Sequence, residues 1–206
     1  MLTRIFFRQV LPRTILTNVR IVDHSNEALT MEHELFKHLE IEIFVPARHL
    51  RASAEYVRAI FEVFDGASPA PSADIAASLD AIGMLEELKQ HVGKFTYHYS
   101  ISFRRILPDD TLISMTADTD EPFYSISLIT YVEPRDRFYE VASFLARSMA
   151  KLFDARLHWG KYFPLSNADI EGTYPHLPEF RTICERTDPN GVFRNDFVNR
   201  VVFNQV

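Results

Sequence analysis

The residues best suited to chemistry form a corner near the C-terminus, where residues 158–161 read His-Trp-Gly-Lys. Lys161 directly follows a bulky segment with little other polarity, which is an unusual place for a positive charge. A lysine offers a ligand one positive charge and three N–H donors. Further on, residues 188–195 read Asp-Pro-Asn-Gly-Val-Phe-Arg-Asn, a pattern that predicts a tight turn leading into a short helix.

The elements that must position this corner follow from the spacing of apolar residues. Residues 39–45 alternate apolar and acidic side chains, so they predict a half-buried strand with Glu40 and Glu42 on its polar face. A second alternating stretch places Ser102 and Arg104 on a polar face together with His98 and Ser100. The same reasoning predicts further elements: strands over 95–104, 123–132 and 156–158, and helices over 50–64, 73–92 and 138–152.

This order of elements is that of a split-βαβ, ferredoxin-like fold. We therefore predict an α+β domain whose antiparallel sheet carries helices on one face, followed by a C-terminal helical tail. The tail should contain a helix that starts near Ser166, a second over 177–187, and a last short helix capped by Asn195. The opposite face of the sheet would carry the polar residues. It is either a solvated face or a surface that covers a cofactor or substrate, and the sequence favours neither.

Composition narrows the function classes. The chain has 206 residues, a net charge of −6 and dispersed charges, which does not suggest a nucleic-acid or anionic-membrane partner. Cys184 is the only cysteine, so no internal disulfide can form, and we expect it to be a small packed residue. We expect no metal site, since no histidine or cysteine pair has zinc spacing. With no signal peptide or membrane span predicted, we expect a cytoplasmic protein, or one associated with a membrane through partners.

Together, these motifs resemble the C-terminal end of the FAD-linked sugar-lactone and alditol oxidases, the aldonolactone oxidase group of the vanillyl-alcohol-oxidase superfamily. The resemblance covers roughly residues 40–202 and is densest from residue 103 onward. It includes the Arg104 strand with Asp109-Asp110 after it, the strand at 129–133, the corner at 158–161, Tyr174-Pro175 with Phe180, and the segment at 188–195. Under the resemblance, residues 39–206 are the substrate-binding, or cap, domain of such an oxidase.

The resemblance implies a chemistry and roles for individual residues. Enzymes of this family pass a hydride from a carbinol carbon to a flavin while the alcohol loses a proton. Arg104 and Lys161 match the family's active-site cations, which would stabilise developing negative charge. Thr130 matches a threonine of the substrate pocket, although simple alternation places it with the apolar side chains of its strand. His158 and Trp159 belong to a motif that lies beside the flavin in this family.

One departure from the family pattern concerns Ser102, which stands where the family carries a glutamate. A serine is a weaker acceptor for a sugar hydroxyl than a carboxylate. Three alternatives stay open: Glu40 or Glu42 supplies the missing carboxylate, substrate choice has changed, or activity is impaired.

We expect no counterpart of the family's FAD-binding domain in this sequence, since all six glycines are isolated and no glycine-rich loop could cradle a pyrophosphate. FAD would then come from, or be shared with, another domain or polypeptide. The chain would be a split-gene subunit, a fragment, or a domain repurposed for binding or interaction. Apolar surface that should face the flavin domain predicts a partner or self-association. Residues 1–38 are predicted to be an extended docking segment, with the apolar stretch 5–22 as a candidate docking strand.

Overall fold

The structure is a computed structural model that describes residues 37–117 and 119–205, together with Val10, Arg13, Val22 and His24. Apart from Val10, Arg13 and Val22, the predicted docking strand at 5–22 lies outside the described residues, as does nearly all of the predicted segment 1–38. The fold described below is therefore that of the predicted substrate-binding domain.

A four-stranded sheet lies at the centre of the described part of the chain. Its neighbouring strands all pair antiparallel, in the order β2-β3-β1-β4. This is the strand order of the ferredoxin-like fold, so the α+β prediction is confirmed. The strands are β1 (His38–Pro46), β2 (Ser102–Ile106), β3 (Phe123–Tyr131) and β4 (Arg156–Leu157).

The helices fall into those that cover the sheet and those of the C-terminal tail. A 3₁₀ turn, Ala47–His49, leads directly from β1 into the first helix. The helices are α1 (Leu50–Phe64), α2 (Ala73–Ala81), α3 (Leu85–Lys89), α4 (Arg135–Phe153), α5 (Asn167–Glu171), α6 (Leu177–Thr187) and α7 (Asp196–Val201).

The main core lies between the apolar face of the central strands and the helices α1 and α4. Strand residues Ile43 and Ile126 face each other across the β1–β3 pair and are fully buried. Helix residues Ile60 and Phe144 are also fully buried and belong to the same core. In β1, β3, α1 and α4, the period-two and helical spacings read from the sequence therefore identified the core-facing positions correctly.

Two predicted elements differ from the structure. The helix predicted over 73–92 is split into α2 and α3, because Gly83 turns the backbone with φ +71°, a conformation that glycine adopts at low cost. The strand predicted over 95–104 begins only at Ser102. Before that point the backbone N–H of Ile129 donates to the Tyr97 hydroxyl (3.2 Å). A side chain therefore takes the hydrogen bond that a backbone carbonyl would accept in a continued strand. Phe103, which the alternation of this stretch places on its apolar face, is 45% exposed on this edge strand.

The tail begins its helices where the sequence predicts. Ser166 and Asp169 form a reciprocal capping box at the start of α5. The Asn195 side chain accepts from the Val198 N–H at the start of α7, as predicted. Before it, the Asp188 carboxylate accepts from the N–H groups of Val192 and Phe193 and fixes the predicted turn.

Candidate functional site

The sheet face opposite the helices carries the polar residues that the sequence singles out. The register aligns Ser102 of β2 with Ser127 of β3, and Ser127 with Glu42 of β1, so the three lie in one row across the sheet. Glu40 and Arg104 lie two residues away along their own strands and therefore point to the same face. The strands thus bring together side chains that are far apart in the sequence.

Lys161 reaches this row from the corner after β4. Its Nζ donates to Glu40 Oε1 (2.5 Å) and to Glu42 Oε2 (2.8 Å). The side chains of Lys161 and Glu40 remain 22% and 18% exposed, whereas that of Glu42 is 4% exposed. The two ion pairs of Lys161 are therefore largely desolvated and open on one side. The electrostatic attraction within each pair is stronger than it would be on the surface.

Of the two glutamates in the cluster, Glu40 has the more partners. Besides Lys161, it accepts from the Ser127 hydroxyl (2.6 Å), and His38 Nε2 lies 3.7 Å from its other oxygen. Burial acts to raise the pKa of Glu40, but the hydrogen bonds from Lys161 and Ser127 outweigh it and hold the pKa below its ordinary value. Glu40 is consequently ionised at neutral pH and offers a ligand an acceptor rather than a proton.

Arg104 completes the cluster from the edge of the sheet. Its NH1 lies 3.5 Å from Glu42 Oε1, while 62% of its side chain is exposed. The guanidinium therefore has N–H donors free for solvent or a ligand while one side stays close to a buried carboxylate. Ser102 is exposed on the same face, and the nearest carboxylate in its row is that of Glu42.

The corner at 158–161 is fixed by backbone contacts. The His158 N–H donates to the Glu42 carbonyl (3.1 Å), which extends β4 along β1 by one bond. The N–H of Gly160 donates to His158 Nδ1 (3.0 Å), and that of Lys161 donates to the His158 carbonyl (3.2 Å). His158 therefore shapes the turn that aims Lys161 at the two glutamates.

The Trp159 ring packs into the protein rather than toward the polar face. It stacks on Phe163 with ring centroids 4.8 Å apart and contacts Tyr174 at 5.1 Å. Its Nε1 donates to the Ile113 carbonyl (2.8 Å) in the loop after β2. These contacts fit an anchoring residue, while the expected place of Trp159 and His158 beside a flavin stays a prediction.

Thr130, like the Trp159 ring, is a predicted site residue that the structure does not bring to the cluster. It pairs with Leu39, lies on the helix-facing side of β3 and is 2% exposed. No bulge interrupts the register between 123 and 131, so the alternation of the strand decides its direction. Thr130 is therefore left out of the site proposed below.

Sequence reasoning missed the part played by Ser127 and by the loop at 107–117. The alternation of serines with apolar residues over 124–128 was a sufficient signal for Ser127, because it places that hydroxyl on the face of Glu42. No such signal existed for the Ile113 carbonyl, which is a backbone group 46 residues before Trp159. Within the described residues, no cluster of candidate metal ligands occurs and no helix is long and apolar enough to cross a membrane.

Fold and site together define a class of protein: a ferredoxin-like domain that displays two carboxylates and two cations on the sheet face opposite α1 and α4. Its charges balance, and its exposed edge offers both donors and acceptors. Comparison with known proteins makes this assignment specific, because the family model of D-arabinono-1,4-lactone oxidase matches residues 2–201. The chain belongs to this family of oxidases.

Relatives within this family carry several names. The chain is 39% identical over 203 residues to a long-chain alcohol oxidase of an uncultured marine euryarchaeote, covering 98% of this chain and 42% of that protein. It is 26% identical to an alditol oxidase of Streptomyces, covering 81% of this chain and 35% of the relative. An L-gulonolactone oxidase of Mus musculus is 28% identical over 60% of this chain and 28% of its own length. The chain thus spans less than half the length of these relatives.

Proposed function

We propose that this chain is the substrate-binding part of an FAD-dependent oxidoreductase that oxidises a CH–OH group. The observation that carries the proposal is the Lys161 ammonium held between Glu40 and Glu42 on the open sheet face, with Arg104 beside it. The relatives are named as long-chain alcohol, alditol and L-gulonolactone oxidases, and the compounds in these names all carry CH–OH groups. The flavin would be held together with the part of those relatives that this chain does not cover.

The side chains of the cluster fit a neutral hydroxyl compound. Glu40, ionised and already bound to Lys161 and Ser127, can accept a hydrogen bond from a substrate hydroxyl. Arg104 offers exposed N–H donors to a substrate oxygen. Within the cluster, the two cations are offset by the two glutamates, so these four side chains offer no surplus positive charge to an acid. We therefore infer that it selects a lactone or alcohol over a carboxylate.

The same residues fit the chemistry of a flavin. A bound flavin would supply the acceptor for the hydride and would gain negative charge as it is reduced. Arg104 and Lys161 are cations on the open face, as stabilisation of such charge requires. They would also stabilise the oxygen from which a proton is being lost.

Ser102 is the place where this chain departs from its family, and Glu42 is the proposed compensation. Glu42 lies in the same row as Ser102 and contacts both cations, so it keeps a carboxylate on the face although the strand position has changed. We infer that Glu40 and Glu42 do together the work of the missing glutamate. A D-arabinono-1,4-lactone-like compound is our first candidate substrate, and long-chain alcohols and alditols are the next.

The first experiment is purification of the protein from its native source, followed by flavin absorbance and mass analysis of what accompanies it. Stoichiometric flavin, in this protein or with a second polypeptide, supports the oxidase. The preparation is then assayed with aldonolactones, alditols and n-alkanols, with aldonic acids as the charged comparison. We expect turnover of neutral compounds and little turnover of the acids.

Variants then locate the activity in the cluster. Lys161→Met should lower kcat/KM by about 100-fold or more, the loss typical of removing one group that stabilises transition-state charge. Lys151→Met, on the exposed side of α4, is the matched control and should keep full activity. Glu40→Gln and Glu42→Gln should each weaken substrate use, and unchanged kinetics in both would reject their proposed role.

The alternative function is a binding or interaction domain that kept the fold without the chemistry, and Ser102 is the residue that favours it. A colourless protein with no flavin-bearing partner, and no turnover after FAD is added, would support this alternative. In that case Arg104 and Lys161 would have no catalytic role.

A further inference from the structure

The loop between β2 and β3 is organised around one carboxylate, that of Asp109. Asp109 Oδ1 accepts from the Thr111 N–H (2.9 Å) and the Thr111 hydroxyl (2.5 Å). Asp109 Oδ2 accepts from the hydroxyls of Thr116 (2.9 Å) and Ser114. Its backbone also forms a bridge with Ala117, so the loop is closed on itself. Burial acts to raise the pKa of Asp109, but these donors lower it to about 2, so the group is ionised throughout the neutral range.

The far side of this loop is attached to the segment that carries Lys161. Trp159 Nε1 donates to the Ile113 carbonyl (2.8 Å). Three residues before Trp159, Arg156 of β4 donates to the Ala117 carbonyl (2.7 Å) and lies over the Tyr174 ring at 4.9 Å. Because Arg156 is 7% exposed, this bond lies in a low-dielectric setting where it is strong.

From these contacts we propose that Asp109 is a positioning residue for Lys161, acting through the 109–117 loop and the Trp159 indole. Only Gly160 separates Trp159 from Lys161 in the chain. The Trp159 ring is held by Phe163 on one face and by the Ile113 carbonyl at its nitrogen. The direction in which Lys161 leaves the corner therefore depends on a carbonyl that Asp109 holds in place.

The geometry explains why such an anchor matters. Lys161 Nζ must meet two carboxylates at once, and a lysine side chain has four rotatable bonds that would otherwise let it move away. When the backbone is fixed on the Trp159 side, Lys161 has fewer conformations in which its Nζ misses Glu40 or Glu42. Loss of the loop anchor should consequently free Lys161 without removing any group of the cluster.

The test compares Asp109→Ala with Asp110→Ala. The second substitution removes the same charge at the next position, where the Asp110 side chain makes no hydrogen bond to the described residues. Trp159 is the only tryptophan in the chain, so the protein gives one indole N–H resonance. We expect this resonance to move and to exchange faster with solvent in Asp109→Ala. It should stay in place in Asp110→Ala.

A second readout follows Lys161 itself. Its rate of acetylation by acetic anhydride is measured by mass spectrometry relative to that of exposed Lys151. In the native protein the ratio should be low, because the amine is held by Glu40 and Glu42. Asp109→Ala should raise the ratio severalfold and Asp110→Ala should not. A purely structural role of Asp109 would lower the melting temperature without changing this ratio in the folded protein, and that outcome overturns the proposal.

Trp159→Phe keeps an aromatic ring beside Phe163 but removes the bond to the Ile113 carbonyl, together with part of the packing on Tyr174 and Phe197. It should raise the Lys161 ratio as Asp109→Ala does, and it decides the question if Asp109→Ala fails to fold. A native ratio in Trp159→Phe contradicts the proposal. The proposal rests on the proposed function only for its consequence in catalysis. Neither the indole resonance nor the acetylation ratio requires flavin or substrate. Their results are therefore independent of the oxidase assay.

Discussion

The two faces of the β1–β3 strand pair are built from alternate residues of the same segments but follow opposite rules. On the helix face, Ile43 and Ile126 are fully buried among apolar side chains of α1 and α4. On the other face, at the next positions along the strands, Glu42 and Ser127 lie beneath a lysine and an arginine.

The apolar face stabilises the fold, whereas the charged face has a different role. Apolar burial contributes stability in proportion to area and needs no particular partner. Ion pairs that are largely removed from water contribute little net stability, because desolvation offsets their attraction. A four-charge cluster on one face is therefore poorly explained by folding stability and better explained by the ligand that we propose it binds.

The largest expected effect lies on the helix face. Ile126→Ala should lower the free energy of unfolding by about 2–5 kcal/mol, because the cavity it leaves cannot fill with water or neighbouring atoms. Chemical denaturation measures this, with Ile126→Val as the milder control. A loss no larger than that of Ile126→Val would mean that this face is not the main core.

A smaller loss of stability is expected from Lys161→Met on the polar face. The substitution leaves Glu40 and Glu42 close together without their shared cation. We expect a loss of about 2–3 kcal/mol, at or below the lower end for buried pairs, because the Lys161 side chain is still 22% exposed. The pKa of Glu40 should rise in this variant, which a carboxyl-carbon NMR titration would detect. If Lys161→Met lost as much unfolding free energy as Ile126→Ala, the proposed difference between the two faces would be wrong.

The pH dependence of stability sharpens the comparison further. The folded pKa of Glu40 is lowered from its ordinary value of 4.5, so its contribution is present above pH 4.5 and is lost as the pH falls through the folded pKa. Glu40→Gln should therefore show a shallower fall in unfolding free energy below pH 4.5 than the native protein. Glu55→Gln, on the exposed side of α1, is the control. Equal acid slopes for native protein and Glu40→Gln would contradict this assignment.

The smallest effect on stability is expected from Arg104→Gln. Its side chain is 62% exposed, so its contact with Glu42 should contribute about 0.5 kcal/mol or less. If the proposed function is right, the same variant should lower substrate turnover much more than it lowers stability. A large loss of stability with unchanged turnover would make Arg104 part of the scaffold instead.

Much of this molecule could be predicted from local patterns. Alternation over residues 39–45 placed Glu40 and Glu42 on one face, and apolar spacing found α1 and α4. Strand alternation also indicated that Thr130 lies with the apolar side chains that face the core. One error arose from a non-local contact, because Tyr97 bonds the Ile129 N–H instead of continuing a strand. The other was local, because the left-handed backbone of Gly83 divides one predicted helix.

By itself, the sequence determined the types and faces of the elements, because side-chain period is a local property of the backbone. It also identified Arg104 and Lys161 as cations worth attention. Only the tertiary structure decided that Lys161 meets Glu40 and Glu42, which lie 121 and 119 residues before it. That contact depends on the order of strands, the length of β4 and the loop that holds Trp159. None of these leaves a periodic trace in the chain, because each results from packing between segments far apart in sequence.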